Sequence, residues 1–139
     1  KKMSFYSCTV SNFEQYTLAE FINKGYFEKH INRMRLFYSR QRKKLIEAIE
    51  HSSLKEKCRI IENDSGLHFL LHLQTELSDQ CLSEQLKQQG IKMLPLSEYF
   101  LTAENSREHY FIINYSCVDL EKIPAACERI HQLLSEKNA

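Results

Sequence analysis

The sequence predicts an α+β domain with the element order ααββαββα. Three observations carry that expectation. A helical period runs through the first fifty residues, β-prone runs separated by turn residues fill the middle, and a helical period returns after Asp119.

The first helix is expected over about residues 12–24. Ser11-Asn12-Phe13-Glu14 has capping-box spacing, in which the Ser11 hydroxyl and the Glu14 carboxylate satisfy the first free backbone N–H groups. Leu18, Phe21 and Ile22 form an apolar face, and Gly25 suits a left-handed C-terminal cap. A second helix is expected over about 26–50. There Phe27, Ile31, Met34, Tyr38, Leu45 and Ile49 fall within one narrow stripe at about 100° per residue. The same helix carries seven Lys/Arg between Lys29 and Lys44 with no carboxylate among them. Lys29, Arg33, Arg40 and Lys44 project opposite the stripe, while Arg35 and Arg42 flank it. Two readings compete for this stretch: a grip on nucleic-acid phosphates, or the connecting helix of a larger enzyme-like fold.

The period then changes. Cys58–Glu62 and Leu67–Leu73 read as short strands joined by Asn63-Asp64-Ser65-Gly66, a hairpin. Ser78–Gln89 reads as a helix with Leu82 and Leu86 inward and Gly90 as terminator. Ile91–Leu94 reads as a strand stopped by Pro95, and Tyr110–Cys117 is the most β-prone run in the chain. The last helix is expected over 120–136, with Asp119 as N-cap and Leu120, Ile123, Cys127, Ile130 and Leu134 inward. Pro124 must then lie in its first turn, where a missing N–H costs little.

A length of 139 residues suits one domain, and 42% apolar with 27% charged residues is ordinary globular composition. A net charge of +1 means the basic run is offset elsewhere, so charge is segregated rather than excessive. The five cysteines (8, 58, 81, 117, 127) are odd in number and form no CxxC, which argues against zinc ribbons and disulfide scaffolds. Buried free thiols in a reducing, cytoplasmic setting are expected instead. No apolar run approaches the ~20 residues of a membrane span, so no membrane partner is expected. The three glycines, Gly25, Gly66 and Gly90, leave no Gly-rich phosphate cradle. Lys1-Lys2-Met3 opens the chain without an initiator Met at position 1, which suggests a piece of a longer polypeptide.

Candidate chemistry is sparse. His68 and His72 could share a metal on a helix, but on a strand they stand roughly 13 Å apart at ~3.3 Å per residue. No metal site is expected. Asp79, Glu62, Glu76 and Glu84 read as polar or exposed, and no nucleophile–base set stands out among the His and Cys residues. The chain alone does not read as an enzyme.

One resemblance covers nearly the whole chain, from about Ser11 to Leu134. It is carried by FEQYTLAEFI (13–22), GYFEKHINRMRLFYSRQRKKL (25–45), GLHFLL (66–71), GIKMLPLSEY (90–99) and FIINYS (111–116). Gly25-Tyr26-Phe27-Glu28, His30-Ile31, Arg33-Met34-Arg35 and Tyr38 are its most specific part. This set resembles the C-terminal part of MocR-type regulators of the GntR superfamily, in which a winged helix-turn-helix precedes a domain similar to a fold-type I aminotransferase.

The resemblance implies an aminotransferase small-domain-like fold, with connecting helices over 11–50 and a compact α+β core over 57–136. It implies pyridoxal 5'-phosphate in the intact protein, held by a large domain of the same polypeptide, with none bound by this fragment alone. The implied partners are that large domain, DNA through a winged helix outside this chain, an amino-compound effector, and a second copy in a homodimer. In true aminotransferases a small-domain arginine takes the substrate carboxylate, and that position falls on Ile112 here, which cannot form the bidentate pair. Arg107 or a large-domain residue is left as substitute. Ser97 and Tyr99, in the loop that tends to approach the cleft, are candidate effector-pocket residues, with His68 as a weaker third. The alternative is the small domain of a genuine pyridoxal-phosphate-dependent aminotransferase, which the missing arginine disfavours.

Overall fold

A computed structural model describes residues 10–61, 66–100, 107–116 and 118–136. Contacts divide the chain into two units, Lys1–Phe37 and Tyr38–Ala139.

The first unit is helical. Helix α1 spans Asn12–Asn23, and Ser11 caps it with the full capping box that its sequence predicts: Glu14 N–H donates to Ser11 Oγ at 3.3 Å, and Ser11 N–H donates to Glu14 Oε2 at 3.2 Å. Gly25 turns the chain with φ 71°, and α2 then runs from Tyr26 to Glu50. The expected apolar face of α1 is real as a pattern but uncovered, because Leu18, Phe21 and Ile22 are all exposed. The stripe on α2 is graded. Phe27 is exposed, Ile31, Met34 and Tyr38 are half-buried, and Leu45 and Ile49 are buried.

The second unit holds a sheet with helices packed on one face. After a 3-10 turn at Ser53–Lys57, β1 (Cys58–Ile61) and β2 (His68–Leu73) pair antiparallel, as the hairpin pattern predicts; Glu62 and the turn residues 63–65 lie outside the described residues. Helix α3 spans Asp79–Gln88 with Ser78 as N-cap. Strand β3 (Leu94–Pro95), β4 (Tyr110–Asn114) and α4 (Ile123–Glu136) complete the unit. The strand order is β1-β2-β4-β3, antiparallel throughout.

Two boundaries differ from expectation. The third strand is Leu94–Pro95 rather than Ile91–Leu94, so Pro95 pairs with Phe111 instead of stopping the strand. An edge strand has one neighbour, so a residue without an N–H is tolerated there. The last α-helix begins at Ile123, preceded by a 3-10 turn at Leu120–Lys122 that Asp119 caps through the Glu121 N–H at 3.2 Å. Pro124 sits in the first turn of α4, where its missing N–H leaves no broken bond. Strand β4 ends at Asn114, whose side chain accepts from both the N–H and the hydroxyl of Ser116; Cys117 lies outside the described residues.

The register sorts the sheet into two faces, because successive strand residues point to opposite sides. Ile60, Leu71, Phe111 and Pro95 align across one face. Phe69 and Leu73 share that face, and the core beneath it includes Leu45, Leu54, Leu82, Leu86, Ile130 and Leu134. Ile61, Leu70, Ile112 and Leu94 align across the opposite face, all half-buried, with Arg59, His72 and Tyr110 forming the adjacent row.

Candidate functional site

The most organised polar cluster centres on Asp79, the first residue of α3. Ser78 starts the helix by accepting the Cys81 N–H, which leaves Asp79 in the first turn, where the helix dipole favours a carboxylate. Asp79 is only 8% exposed, so its setting is not the exposed one that its sequence context suggests. Its Oδ2 accepts the Ser97 hydroxyl at 2.5 Å, and its Oδ1 accepts the His109 N–H at 2.8 Å. One carboxylate thus ties α3 to the Leu96–Tyr99 3-10 turn and to the segment entering β4.

His109 has φ 66°, a left-handed conformation uncommon outside glycine. Both of its backbone polar groups are engaged: the N–H goes to Asp79, and the carbonyl accepts the Leu73 N–H at 2.9 Å. Its ring Nδ1 lies 3.6 Å from Asp79 Oδ1, within ion-pair range but too long for a hydrogen bond, and is buried with no hydrogen-bond partner. Beside it, the His72 ring lies 4.7 Å from the Tyr110 ring and 6.4 Å from the His109 ring. Burial first, then the neighbouring His109 and Arg59, holds the His72 imidazole below its usual value.

A cleft of about 480 Å³ opens over Asp79, lined by Ser78, Gln80, Pro95, Ser97, Glu98 and Glu108 as well. The candidate pocket residues are placed as follows. Ser97 lines this cleft and bonds Asp79. Tyr99 sits two residues on, at the end of the same 3-10 turn, and is 62% exposed. His68 opens β2 on the outer sheet face, exposed and paired in register with Asn114. Neither Tyr99 nor His68 lines the cleft. Ile112 sits in the apolar row of the outer face, and Arg107 is exposed.

The cleft does not fit pyridoxal phosphate. Three carboxylates and no Lys or Arg line it, so a phosphate dianion would meet like charge. A second groove does carry Arg42 and Lys43, but Glu47 and Glu50 share it and Lys43 pairs with Glu47 at 3.8 Å. Lys57, half-buried, donates to the Leu134 carbonyl and Ser135 hydroxyl, a structural role. Among the described residues no lysine stands beside a set of phosphate donors.

The three thiols among the described residues are free. Cys127 is buried, Cys58 and Cys81 are half-buried, and Cys8 and Cys117 lie outside the described residues. Burial pushes the Cys58 thiol up to about 11, with Cys127 adding to the effect, and burial likewise raises Cys127. His68 and His72 both occur on β2, the strand placement that disfavours a shared metal. No helix among the described residues is long and apolar enough to cross a membrane.

Sequence reasoning missed His109 and the burial of Asp79. A serine followed by an acid at a helix start is a local signal, but the partner lies 30 residues away, and no local pattern names it.

No family model matches the chain. It is 43% identical over 94 residues to the uncharacterized HTH-type transcriptional regulator YdeL of Bacillus subtilis, covering 68% of this chain and 20% of that one. It is 33% identical over 122 residues to the HTH-type regulator YhdI of the same organism, covering 88% and 25%. The probable rhizopine catabolism regulatory protein MocR of Rhizobium meliloti is 32% identical over 105 residues, covering 76% and 21%. The chain therefore spans a quarter or less of the length of these relatives. Its fold matches a kynurenine aminotransferase of Pyrococcus horikoshii, solved with PMP, at TM-score 0.70 and 23% identity over 84% of this chain and 28% of that one. It also matches the aminotransferase LysN of Thermus thermophilus, complexed with N-(5'-phosphopyridoxyl)-L-leucine, at TM-score 0.68 and 20% identity over 86% and 30%. At such identities the structures speak for the fold alone, while the regulators speak for descent. The chain belongs to the MocR-type HTH transcriptional regulators and has the aminotransferase-like fold.

Proposed function

We propose that this chain is the C-terminal effector-sensing part of a pyridoxal-phosphate-dependent transcription regulator, working in the cytoplasm as part of a longer, dimeric polypeptide. The observation that carries the reading is the pairing of regulator relatives with an aminotransferase-like fold. Pyridoxal phosphate is assigned to a large domain of the same polypeptide, because the Asp79 cleft is acidic and lysine-free. DNA is assigned to a winged helix outside this chain. The contribution of the chain is to shape one wall of an effector cleft, with Ser97 as its candidate contact in the Asp79 cleft and Tyr99 and His68, which lie outside that cleft, as further candidates. Effector binding would shift the small domain between two arrangements and so bias the DNA-binding arms.

The Asp79 network gives this reading a mechanical basis. By fixing the Ser97 hydroxyl and the His109 backbone, it holds two segments that flank the cleft in one geometry. An amino compound suits a wall rich in carboxylates better than an anion does. The test compares this chain with the longer polypeptide that contains it, each titrated with pyridoxal phosphate. Cofactor absorbance that borohydride makes permanent is expected in the longer polypeptide only. Its absence there would sink the reading.

A further inference from the structure

We propose that an apolar cavity at the β3 end of the sheet binds a free small carboxylate whose body is about the size of a benzene ring. The site is separate from the Asp79 cleft and does not depend on the proposed function.

The cavity arises from the way the sheet ends. Strand β3 has only two residues, so its ladder with β4 stops at Leu94 opposite Ile112. The chain reaches Leu94 from the end of α3, where the Ile91 N–H bonds the Leu86 carbonyl at 2.9 Å. Between this approach, β4, α2 and α4, a cavity of about 180 Å³ is left. Leu45, Ile49, Leu71, Met93, Ile113 and Ile130 are among its walls, and its only polar lining residues are Lys92 and Asn114. Protein interiors leave few voids larger than a water molecule. An apolar cavity of about 150 Å³ stays dry and admits a benzene-sized molecule, so the room here suits one ring.

The cavity lies on the helix-covered side of the sheet. Ile113 aligns with Phe69, on the face that carries the core. It is therefore distinct from the outer face, where the row of Ile112 marks the carboxylate position of true aminotransferases.

The mouth is defined by an open rung of β4. The Tyr115 N–H donates to the Leu67 carbonyl and the Leu73 N–H to the His109 carbonyl, so the odd-numbered residues here bond toward β2. Backbone groups alternate sides in an antiparallel ladder, so Ile112 and Asn114 present theirs toward β3. Ile112 meets Leu94 there, but Asn114 lies past the end of β3. The continued register sets Lys92 opposite it, and among the described residues no backbone bond joins the two. Lys92 is exposed and has no ion pair among the described residues.

This pairing selects the ligand. A carboxylate head accepts from the Asn114 N–H and from the Lys92 ammonium while its apolar body fills the cavity. A bare hydrocarbon leaves both groups unused, and an amine meets Lys92 with like charge. The Asp79 cleft, lined by carboxylates, has the opposite preference.

Calorimetric titration of the longer polypeptide and of this 139-residue chain with benzoate, toluene and benzylamine tests the proposal. Benzoate should bind both with a Kd below about 1 mM, and the other two at least about tenfold more weakly. Lys92→Met keeps the apolar stem and should weaken benzoate about tenfold while leaving toluene unchanged. Ala126→Leu fills the cavity from α4 and should weaken benzoate more than about tenfold, with urea midpoints confirming that each variant folds. No benzoate binding would overturn the proposal, as would equal affinity for benzoate and toluene. So would benzoate binding that folded Ala126→Leu leaves intact, which places it elsewhere. Binding by the short chain that vanishes in the longer polypeptide would overturn it too, because another segment would then fill the cavity.

Discussion

The carboxylate of Asp79 accepts the backbone N–H of His109 at 2.8 Å, joining the start of α3 to the start of β4 across 30 residues of sequence. The Ser97 hydroxyl completes the contact from a third segment. Removing this carboxylate strands two donors in a half-buried site. Asp79→Ala should therefore destabilise the protein by about 1–3 kcal/mol. Asp79→Asn keeps a carbonyl acceptor and should cost less. Urea denaturation followed by circular dichroism reads both, and equal losses would argue that the acceptor is not what matters.

The two aromatic residues Phe111 and Tyr99 should respond in opposite ways. Phe111 is fully buried beneath the sheet, and Phe111→Ala should cost about 3–5 kcal/mol through lost burial and a residual cavity. Tyr99 is 62% exposed, and Tyr99→Ala should stay within about 0.5 kcal/mol. A large loss for Tyr99→Ala would mean its ring packs far better in solution than its exposure implies. With stability unchanged, the effect of Tyr99→Ala on effector response in the longer polypeptide is a clean readout of a binding role.

The thiols of Cys58 and Cys127 should resist alkylation at neutral pH. Burial holds both in the neutral form, and the thiolate is the nucleophile. The folded-state value of Cys58 is raised from 9.0 to about 11, so the unfolded chain loses its proton first as pH climbs. The stability contributed is fully present below pH 9.0 and is lost on the way to about 11. Iodoacetamide labelling followed by mass spectrometry checks the first point, and equal rates in native and urea-unfolded protein would refute it.

His72 should produce the opposite pH dependence. Its folded value lies below the ordinary 6.5, so the unfolded state binds the proton more readily. Its contribution to stability is present above 6.5 and is lost as pH falls below it. His72→Phe keeps a ring against Tyr110 and should flatten the acid limb of a stability–pH curve. An unchanged acid limb would assign that loss to other groups.

The helices were the most legible part of the fold, because their signals are local. Ser11 and Glu14 stand within hydrogen-bond reach by spacing alone, and the Phe27-to-Ile49 stripe follows from helical geometry. Strand β3 was less legible, since two residues carry no period and Pro95 looks like a stop until its edge position is known. Of the candidate pocket residues, Ser97 shares a cleft with Asp79, but nothing near Ser97 in sequence marks the acid it meets.

The sequence by itself determined the element order, the helix caps, the inward faces of α3 and α4, and the family resemblance, all of which rest on short-range spacing. Only the tertiary structure decided the strand order β1-β2-β4-β3, the burial of Asp79 against His109, and which apolar faces are covered. The physical reason is that periodicity specifies which side of an element is apolar but not what packs against it. Leu45 and Leu18 belong to equally plausible apolar faces; Leu45 is 2% exposed and Leu18 55%, and that difference comes from partners distant in the chain.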